Sequence, residues 1–272
     1  MLFAALLHAS WNALVKSTSD KLVSITAVTL GHAPFAIITL FFIPAPSPES
    51  WPYIAASIVV HTLYQLSLVR AYRLGDFTQV YPIARGTGPA LVTLFSIIVL
   101  GWAISSTQIL AISLIITGIF CLSLLRQSDG VRNPKAVGAA LLTGTFIATY
   151  SLIDGLGARQ AGTAIGFIAW MTICNAIVFA VIATIIDRTV LKRVMLEGQK
   201  PLWIGGTASV VAYMLVVWAM TKAPIAIVTA LRETSTIFAL VIGALLLGER
   251  FSWTKVIATC LTLCGVILVR FY

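Results

Sequence analysis

Two stretches of the chain decide its fold, because they align with each other without a gap. Residues 85–118 read RGTGPALVTLFSIIVLGWAISSTQILAISLIITG, and residues 232–265 read RETSTIFALVIGALLLGERFSWTKVIATCLTLCG. Nine of the 34 aligned positions are identical, and these include an arginine, two glycines, two threonines and a serine. Chance matching of apolar runs would not supply polar identities of this kind, so the chain contains an internal repeat.

The repeat has one insertion. Residues 4–7 match residues 139–142 at a shift of 135 residues, whereas the longer match has a shift of 147 residues. The difference of 12 residues (147 − 135) is about the length of segment 188–200, which we interpret as an insertion in the second half. Apolar residues recur there at helical spacing, from Val190 to Met195, which predicts a short amphipathic helix at the membrane interface. The alternative is a polar loop with chance spacing.

The composition excludes a soluble globular protein. Apolar residues make up 59% of the 272 residues, charged residues make up 10%, and the mean hydropathy is +1.00. A soluble domain has about 25% charged residues. Since a spanning helix needs about 20 apolar residues, the length allows about ten spans with short loops. The first apolar run, 2–15, has no basic region before it, so we expect a first helix there rather than a signal peptide.

The fold class is therefore an all-α membrane protein with ten transmembrane helices in two five-helix repeats. The repeats cover 1–126 and 134–272. Because five is odd, the second repeat crosses the membrane in the opposite sense, which is the inverted-repeat architecture of many secondary transporters. Apolar runs and their polar breaks predict the ten helices, numbered helix 1 to helix 10, at 2–16, 22–43, 51–74, 77–100, 107–125, 135–154, 163–187, 201–221, 224–247 and 253–271.

The basic residues bear on orientation. The net charge is +9, and 13 basic residues lie in the loops joining helices 1–2, 3–4, 5–6, 7–8 and 9–10, against three on the other side. The positive-inside rule then places both termini outside. Nucleic acid is not an expected partner, because no basic face carries interleaved aromatic residues.

Three ionisable residues lie within predicted spans. Arg85 in helix 4 and Arg232 in helix 9 occupy equivalent positions of the two repeats, and Glu233 follows Arg232 directly. Charged side chains at membrane depth are costly, so they are candidates for a functional site. We expect Arg232 to face a central cavity and Glu233 to reach a neighbouring helix. The alternative is that the arginines pair with Glu233 or with carbonyl groups and only fix the packing.

Helix 4 carries a second signal. Pro82, Gly86, Gly88 and Pro89 all lie inside this span. Each proline removes a backbone donor and clashes with the preceding turn. The pattern predicts a bend or a broken hydrogen-bond ladder between residues 81 and 90, with Tyr81 and Arg85 on one face. A plain kink without a ligand role is the alternative.

Other polar residues share helix faces that could line the same cavity. Helix 6 carries Thr143 and Asp154 on the face of Tyr150, and helix 7 carries Asn175. A lone histidine on an apolar face is also compatible with simple packing. The candidate solute contacts are Arg85, Arg232, Tyr81, Glu233, His8, Trp11, Asn12, His61, Tyr64, Gln65, Tyr150 and Tyr213.

No enzyme or metal constellation is apparent. The chain contains no GxSxG, HExxH, Walker or dinucleotide-binding motif, and its three histidines lie on different helices. We interpret the four cysteines as small buried apolar residues. No cofactor or metal is expected. Helices 5 and 10 have small residues such as Gly118 and Gly265 but no mid-span charge, so we expect them at the periphery, packing the bundle or a second copy in a homodimer.

The ten spans and the stretch TALRETSTIFALVIGALLLGERFSWTKVIATCLTLCGVIL, residues 229–268, resemble the drug/metabolite transporter superfamily of the EamA type. Leu247-Gly248-Glu249 is similar to the usual end of an EamA repeat, whereas the first repeat has Trp102 in place of the glutamate. The resemblance implies cytoplasmic termini, in conflict with the basic-residue count. It also implies a cavity lined by helices 1, 3, 4, 6, 8 and 9, with solute contacts at Arg85 and Arg232.

These observations predict a multi-pass carrier of the inner (cytoplasmic) membrane that moves a small organic metabolite by alternating access. Two arginines and one glutamate at mid-span give a net charge of +1, which favours an anionic or zwitterionic solute such as an amino acid. Export, exchange and uptake of the solute are equally compatible with the sequence. The alternatives are a proton-coupled exporter of cationic drugs that uses Glu233, and a membrane scaffold or channel.

Overall fold

A computed structural model describes residues 1–98, 105–124, 133–223, 225–248 and 252–268. Most of the predicted loop at 126–135, the positions Trp102 and Glu249, and the predicted ends at 126 and 272 lie outside these ranges. Within them the chain is helical and contains no strand. The spans are helix 1 Leu2–Ser17, helix 2 Lys21–Gly31 and Ala33–Leu40, helix 3 Trp51–Leu74, helix 4 Phe77–Ile98, helix 5 Ser106–Leu124, helix 6 Pro134–Gln160, helix 7 Ala164–Ile186, helix 8 Pro201–Gly205 and Gly206–Lys222, helix 9 Ile225–Arg232 and Ser235–Leu246, and helix 10 Trp253–Leu268.

The helix starts follow ordinary capping chemistry. The Asp20 carboxylate accepts hydrogen bonds from the backbone N–H groups of Leu22 and Val23 at the start of helix 2. The side chains of Asn133 and Thr163 cap helices 6 and 7 in the same way. Such caps satisfy backbone donors that the first turn of a helix leaves free, which fixes where each span begins.

The surface of the bundle is apolar, as a lipid-facing surface must be. Phe41 and Leu245 are 81% and 77% exposed, and many other large apolar side chains point outward. Five helical segments of the described ranges are long and apolar enough to cross a membrane by length and composition: Lys21–Leu40, Pro48–Leu74, Pro134–Gln160, Ala164–Ile186 and Pro201–Lys222. The interior instead holds the buried polar and charged groups, an arrangement suited to the bilayer as solvent.

The two halves pack against each other in a reciprocal pattern. Helix 1 packs against helices 8 and 9, and helix 6 packs against the equivalent helices 3 and 4. A Cβ atom at Gly118 would lie 2.6 Å from the Ala258 carbonyl oxygen, and one at Gly265 would lie 2.5 Å from that of Ala111. A shift of 147 residues converts the first contact into the second. Reciprocal contacts of this kind are the signature of two-fold symmetry, as an inverted repeat requires.

This contact also changes the expectation for helices 5 and 10. They pack on each other within one chain, and their small residues, Gly118 and Gly265, face that contact. The cysteine interpretation is wrong in part: Cys260 and Cys264 are exposed, while Cys121 and Cys174 are half-buried. Among the described residues, no cluster of histidine, cysteine and acidic side chains could hold a metal ion.

Segment 188–200 contains a short helix, Val190–Glu197, which agrees with the predicted amphipathic helix. Val190 and Val194 are buried against the bundle, and Arg193 Nη1 lies 2.8 Å from Asp20 Oδ2. Burial acts to raise the pKa of Asp20, but the Val23 backbone N–H and the Arg193 guanidinium lower it below its ordinary value. The segment is thus attached to the start of helix 2.

Basic residues tie together the helix ends at both faces of the bundle. Lys16, at the end of helix 1, donates hydrogen bonds to the carbonyls of Tyr72 and Gly75 at the end of helix 3, at 2.9 and 2.5 Å. Arg159, at the end of helix 6, donates to the carbonyls of Met220 and Ala223 at the end of helix 8, at 3.0 Å each. Helices 1 and 3 are the counterparts of helices 6 and 8, so equivalent hydrogen bonds join helix ends at opposite faces of the bundle. We call these two sets of bonds the Lys16 and Arg159 clamps.

The break in the central helices lies in the other repeat from the predicted one. Helix 4 is one uninterrupted α-helix over Phe77–Ile98, so the predicted break between residues 81 and 90 is wrong, while the alternative of a bend there stays a prediction. Helix 9 is the discontinuous one: it ends at Arg232 and restarts at Ser235. Prolines are tolerated in a spanning helix when neighbouring helices surround it, and helix 4 packs against helices 5, 6 and 9.

Candidate functional site

A cavity lies at the centre of the bundle, between the two halves. Its volume is about 60 Å³, and its walls come from helices 1, 2, 3, 6, 7 and 8. At about 10–15 Å³ for each water, it holds only a few water molecules. Its polar and aromatic lining residues are His8, Trp11, Thr29, His32, His61, Tyr64, Gln65, Tyr150, Thr172, Asn175, Ser209 and Tyr213.

Helix 1 presents its predicted polar face to this region. The Trp11 indole N–H donates to His8 Nδ1 at 3.3 Å, and both side chains line the cavity. Asn12 accepts a hydrogen bond from the Tyr72 hydroxyl at 2.7 Å. It lies instead beside a smaller space of about 10 Å³, together with Tyr81 and Arg85. The helical spacing of His8, Trp11 and Asn12 therefore places them between the two spaces.

Helices 2, 3 and 7 are joined by an amide network. Gln65 donates to the Thr29 hydroxyl and to Asn175 Oδ1, both at 3.0 Å. Asn175 donates to the Thr62 hydroxyl at 3.3 Å. Because buried amides are costly without partners, these bonds hold three helices in register around the cavity.

Helices 3, 6 and 8 meet at a buried carboxylate. Asp154 of helix 6 is 0% exposed. Its Oδ2 lies 2.9 Å from His61 Nε2 and accepts a hydrogen bond from the Tyr213 hydroxyl. The His61 ring also stacks on Tyr150, with ring centroids 4.2 Å apart. We refer to Asp154, His61 and Tyr213 as the acidic triad.

Helix 4 meets the break of helix 9 through Arg85. Arg85 Nη2 lies 2.9 Å from Glu233 Oε1 and donates to the backbone oxygen of Arg232 at 3.0 Å. The hydroxyls of Thr234 and Thr236 donate to the backbone carbonyls of Leu231 and Glu233, at 2.8 Å each. Carbonyls at the break thus find side-chain donors, as buried backbone requires.

Arg232 has a different environment. It is 1% exposed, and its guanidinium carbon lies 5.8 Å from the centroid of the Tyr150 ring. Its Nη2 donates to the Ser151 hydroxyl at the long distance of 3.5 Å. Among the described residues, its Nε and Nη1 have no hydrogen-bond partner. A buried guanidinium with free donors beside a cavity wall can bind an anionic group by donating hydrogen bonds to it.

The structure brings most of the predicted contacts to one region but separates them into layers. His8, Trp11, His61, Tyr64, Gln65, Tyr150 and Tyr213 line the central cavity. Tyr81, Asn12 and Arg85 line the smaller space, where the Tyr81 hydroxyl also donates to Ser235 at 3.0 Å. Arg232 and Glu233 lie behind these walls, and neither lines a cavity directly.

Sequence reasoning left several site residues out. Asp154 and Asn175 were visible as polar positions within spans, but their partners on other helices were not. Thr29, Thr172 and Ser209 line the cavity as well. Hydroxyl residues are common in spanning helices because they also bond to their own backbone, as Thr29 does with Ile25, so nothing in the sequence singled these out.

Comparison with known proteins decides the family. The model of the EamA-like transporter family matches residues 1–124 and again residues 134–271. The chain belongs to the EamA-like transporter family. As a member of this family it is a multi-pass membrane transporter of the drug/metabolite type, with ten helices in two repeats, and its partners are a small-molecule solute and the lipid bilayer.

The fold of the chain is also found among solved structures. One of them, titled only "Crystal structure of protein", is 15% identical, has a TM-score of 0.60, and covers 99% of this chain and 95% of that one. At this identity the likeness concerns the fold alone. No curated protein matches the chain.

Proposed function

We propose that this EamA-type transporter carries a small anionic or zwitterionic metabolite, such as an amino acid, by alternating access, with Arg232 as its main contact. The observation that carries this proposal is the buried Arg232 guanidinium, which has no carboxylate within ion-pair distance in the described part of the chain, whereas Arg85 has Glu233. The Nε and Nη1 of both arginines have no hydrogen-bond partner among the described residues. Nε and Nη1 lie on different edges of the planar group, so a carboxylate could accept from either edge, with Nη2 as the second donor. Arg232 lies over Tyr150, whose ring lines the cavity, so a rotation of that ring would join the two.

The size of the cavity supports alternating access. A space of about 60 Å³ is far smaller than the roughly 300 Å³ or more of typical ligand sites. The Lys16 and Arg159 clamps join helix ends at opposite faces of the bundle. A narrow centre of this kind fits a carrier that opens to one side at a time, whereas an open channel would need a continuous path.

The charges around the cavity favour a zwitterion over a solute with several negative charges. The buried charged side chains at the centre are Arg85, Arg232, Glu233 and Asp154, and their formal charges sum to zero (2 − 2). The rings of Tyr64 and Tyr213 line the cavity and would attract a cationic group.

The alternative of a cationic-drug exporter that uses Glu233 receives less support. Glu233 is paired with Arg85 at 2.9 Å, so its charge is already compensated. A membrane scaffold or channel without a solute site would leave the spare donors of Arg232 unexplained, because buried unpaired donors are costly.

A thermal-shift screen of the purified protein against metabolites grouped by charge tests the proposal. We expect stabilisation by an anionic or zwitterionic compound, lost in Arg232→Ala and weakened in Arg232→Lys, with folding retained in both. Arg188→Ala is the matched control, since Arg188 is exposed in the loop before the short surface helix. Stabilisation by cations alone, or unchanged binding by Arg232→Ala, would contradict the proposal.

We further propose that the carrier works in the inner (cytoplasmic) membrane as an exporter or exchanger. Counterflow in proteoliposomes would separate exchange from one-way transport, and membrane fractionation would test the location. A homodimer through helices 5 and 10 would have to use their outward faces, because Gly118 and Gly265 are engaged within the chain. Crosslinking in membranes would test that arrangement.

A further inference from the structure

In the acidic triad, two proton-carrying side chains link a buried carboxylate to the central cavity. Asp154 does not line the cavity, whereas His61 and Tyr213 do. Both contact the same oxygen, Asp154 Oδ2, and His61 Nε2 also lies 3.3 Å from the Tyr213 hydroxyl. The other oxygen, Asp154 Oδ1, has no hydrogen-bond partner in the described part of the chain. The geometry is that of a relay from cavity water to a buried acid.

We propose that the acidic triad is the proton-binding site of this transporter, and that its proton enters from the central cavity through His61. This inference rests on the proposed function for its role in transport, but the proton site itself does not depend on which solute is carried.

The proton step follows from the hydrogen bonds. Since Asp154 accepts at Oδ2, the His61 Nε2 carries hydrogen and donates, which leaves Nδ1 as the basic nitrogen of the ring. A hydronium ion in the cavity transfers its proton to Nδ1 and leaves as water. The imidazolium that forms keeps its Nε2–H bond to Asp154, so the new positive charge lies directly beside the carboxylate.

The groups around the triad allow this change of charge. His61 is faced by Tyr64 of its own helix and by Tyr150 of helix 6, and the Arg232 guanidinium lies over the same Tyr150 ring. His8 and His32 line the cavity from helices 1 and 2, and helix 7 contributes the neutral Asn175. The positive charge of Arg232, and of His8 or His32 when protonated, disfavours an imidazolium at His61. Among the described residues, Asp154 is the carboxylate in direct contact with His61, and its charge favours the imidazolium.

Proton binding would change what the site prefers. With neutral histidines the four charged side chains of the centre sum to zero, and an imidazolium at His61 makes the sum +1. A solute with one negative charge would then restore neutrality. By linkage, a proton that strengthens binding of such a solute is itself bound more strongly when the solute is present. The triad would thus couple proton movement to solute movement through the charge at the centre.

Infrared difference spectroscopy of the full-length protein in lipid vesicles, with protons as the only added ligand, tests the proposal. Over the pH range in which the protein stays folded, we expect imidazole and carboxylate bands that respond together. His61→Gln and Asp154→Asn should each remove this coupled signal. Tyr213→Phe should shift its midpoint. Asp187→Asn is the control, because Asp187 is a half-buried carboxylate beside the surface helix, away from the triad, and its replacement should leave the signal unchanged.

A second variant keeps the test decisive if a triad variant does not fold. The chain has three histidines, so His8→Gln combined with His32→Gln leaves His61 as the only one. With ring-labelled histidine, this protein should retain the pH-dependent band. A wild-type protein whose histidine bands do not change in this range, or a signal that survives His61→Gln, would overturn the proposal. Neither result depends on the outcome of the solute screen.

Discussion

Arg85 and Arg232 occupy the same position in the two repeats, yet their surroundings differ. Arg85 lies 2.9 Å from a carboxylate and donates to a backbone carbonyl at 3.0 Å. Arg232 has one weak bond to Ser151 at 3.5 Å and an aromatic ring at 5.8 Å. Both are 1% exposed, so burial does not distinguish them. What differs is whether the charge is compensated within the protein.

The difference originates in one substitution between the repeats. The residue after Arg232 is Glu233, whereas the residue after Arg85 is Gly86. The carboxylate therefore exists on one side only, and it reaches across the pseudo-symmetry axis to the arginine of the other repeat. Arg85 at the same time donates to the Arg232 carbonyl at the break of helix 9. Both guanidinium groups keep an unpartnered Nε and Nη1 among the described residues, so free donors do not distinguish them. Arg85 has a carboxylate partner and completes the structure of the opposite repeat, whereas Arg232 has no carboxylate within ion-pair distance in the described part of the chain.

The largest expected effect separates the two arginines by stability. Arg85→Ala leaves Glu233 buried without its partner, and removal of one member of a buried ion pair typically costs about 3–5 kcal/mol. Arg232→Ala removes a charge that has no acidic partner within contact, so it should change the free energy of unfolding far less. Reversible unfolding of both variants in the same lipid or detergent measures the difference. Equal losses would mean that the two arginines have the same structural role.

A double-mutant cycle sharpens the comparison at the level of pairs. Residues in direct contact show coupling energies of about 0.5–3 kcal/mol. We expect a value in this range between Arg85→Met and Glu233→Gln, and a value near zero between Arg232→Met and Glu233→Gln. The unfolding free energies of the single and double variants supply both cycles. A stronger coupling of Glu233 to Arg232 would reverse the assignment.

The smallest effect concerns the two clamps, which repeat the comparison at the faces of the bundle. Lys16→Met and Arg159→Met each remove side-chain bonds to helix-end carbonyls, worth about 1 kcal/mol, or several-fold in an opening equilibrium. Thr172 lines the cavity, so Thr172→Cys in a cysteine-free background places a thiol there. The rate at which a membrane-impermeant reagent labels this thiol from each side of the membrane measures access to the cavity from that side. We expect the two variants to increase labelling from opposite faces. Faster labelling from the same face in both would contradict the inverted arrangement of the clamps.

Periodicity and the internal repeat predicted the fold, and the reason is physical. A spanning helix satisfies its own backbone, so each apolar run reports its element locally. The same locality explains the errors. The break at Glu233 and Thr234 contains neither proline nor glycine. Its carbonyls accept local hydrogen bonds from Thr234 and Thr236, and the third donor, Arg85, is brought there only by the folded bundle. Helix 4 carries two prolines and stays continuous because its neighbours surround it.

The site was predictable to the same extent as the fold, namely where helical spacing determines it. The faces that carry His8, Trp11, His61, Tyr64 and Tyr150 follow from helical spacing, and these residues do line the cavity. The pairing of Arg85 with Glu233 and the acidic triad join residues that are 148 and at least 59 positions apart in the chain (233 − 85 and 213 − 154). No local pattern carries such partners. The solute contacts themselves stay a prediction.

The central claim is that Arg232, rather than Arg85, binds the solute. Calorimetric titration of the compound found in the thermal-shift screen into Arg232→Lys and Arg85→Lys tests it most directly, because lysine keeps the charge and loses the planar fork. A hydrogen bond to a charged group contributes about 1.5–3 kcal/mol, so Arg232→Lys should weaken binding by about tenfold or more. Arg85→Lys should keep its ion pair with Glu233 and change the affinity much less. A loss of affinity confined to Arg85→Lys would contradict the account.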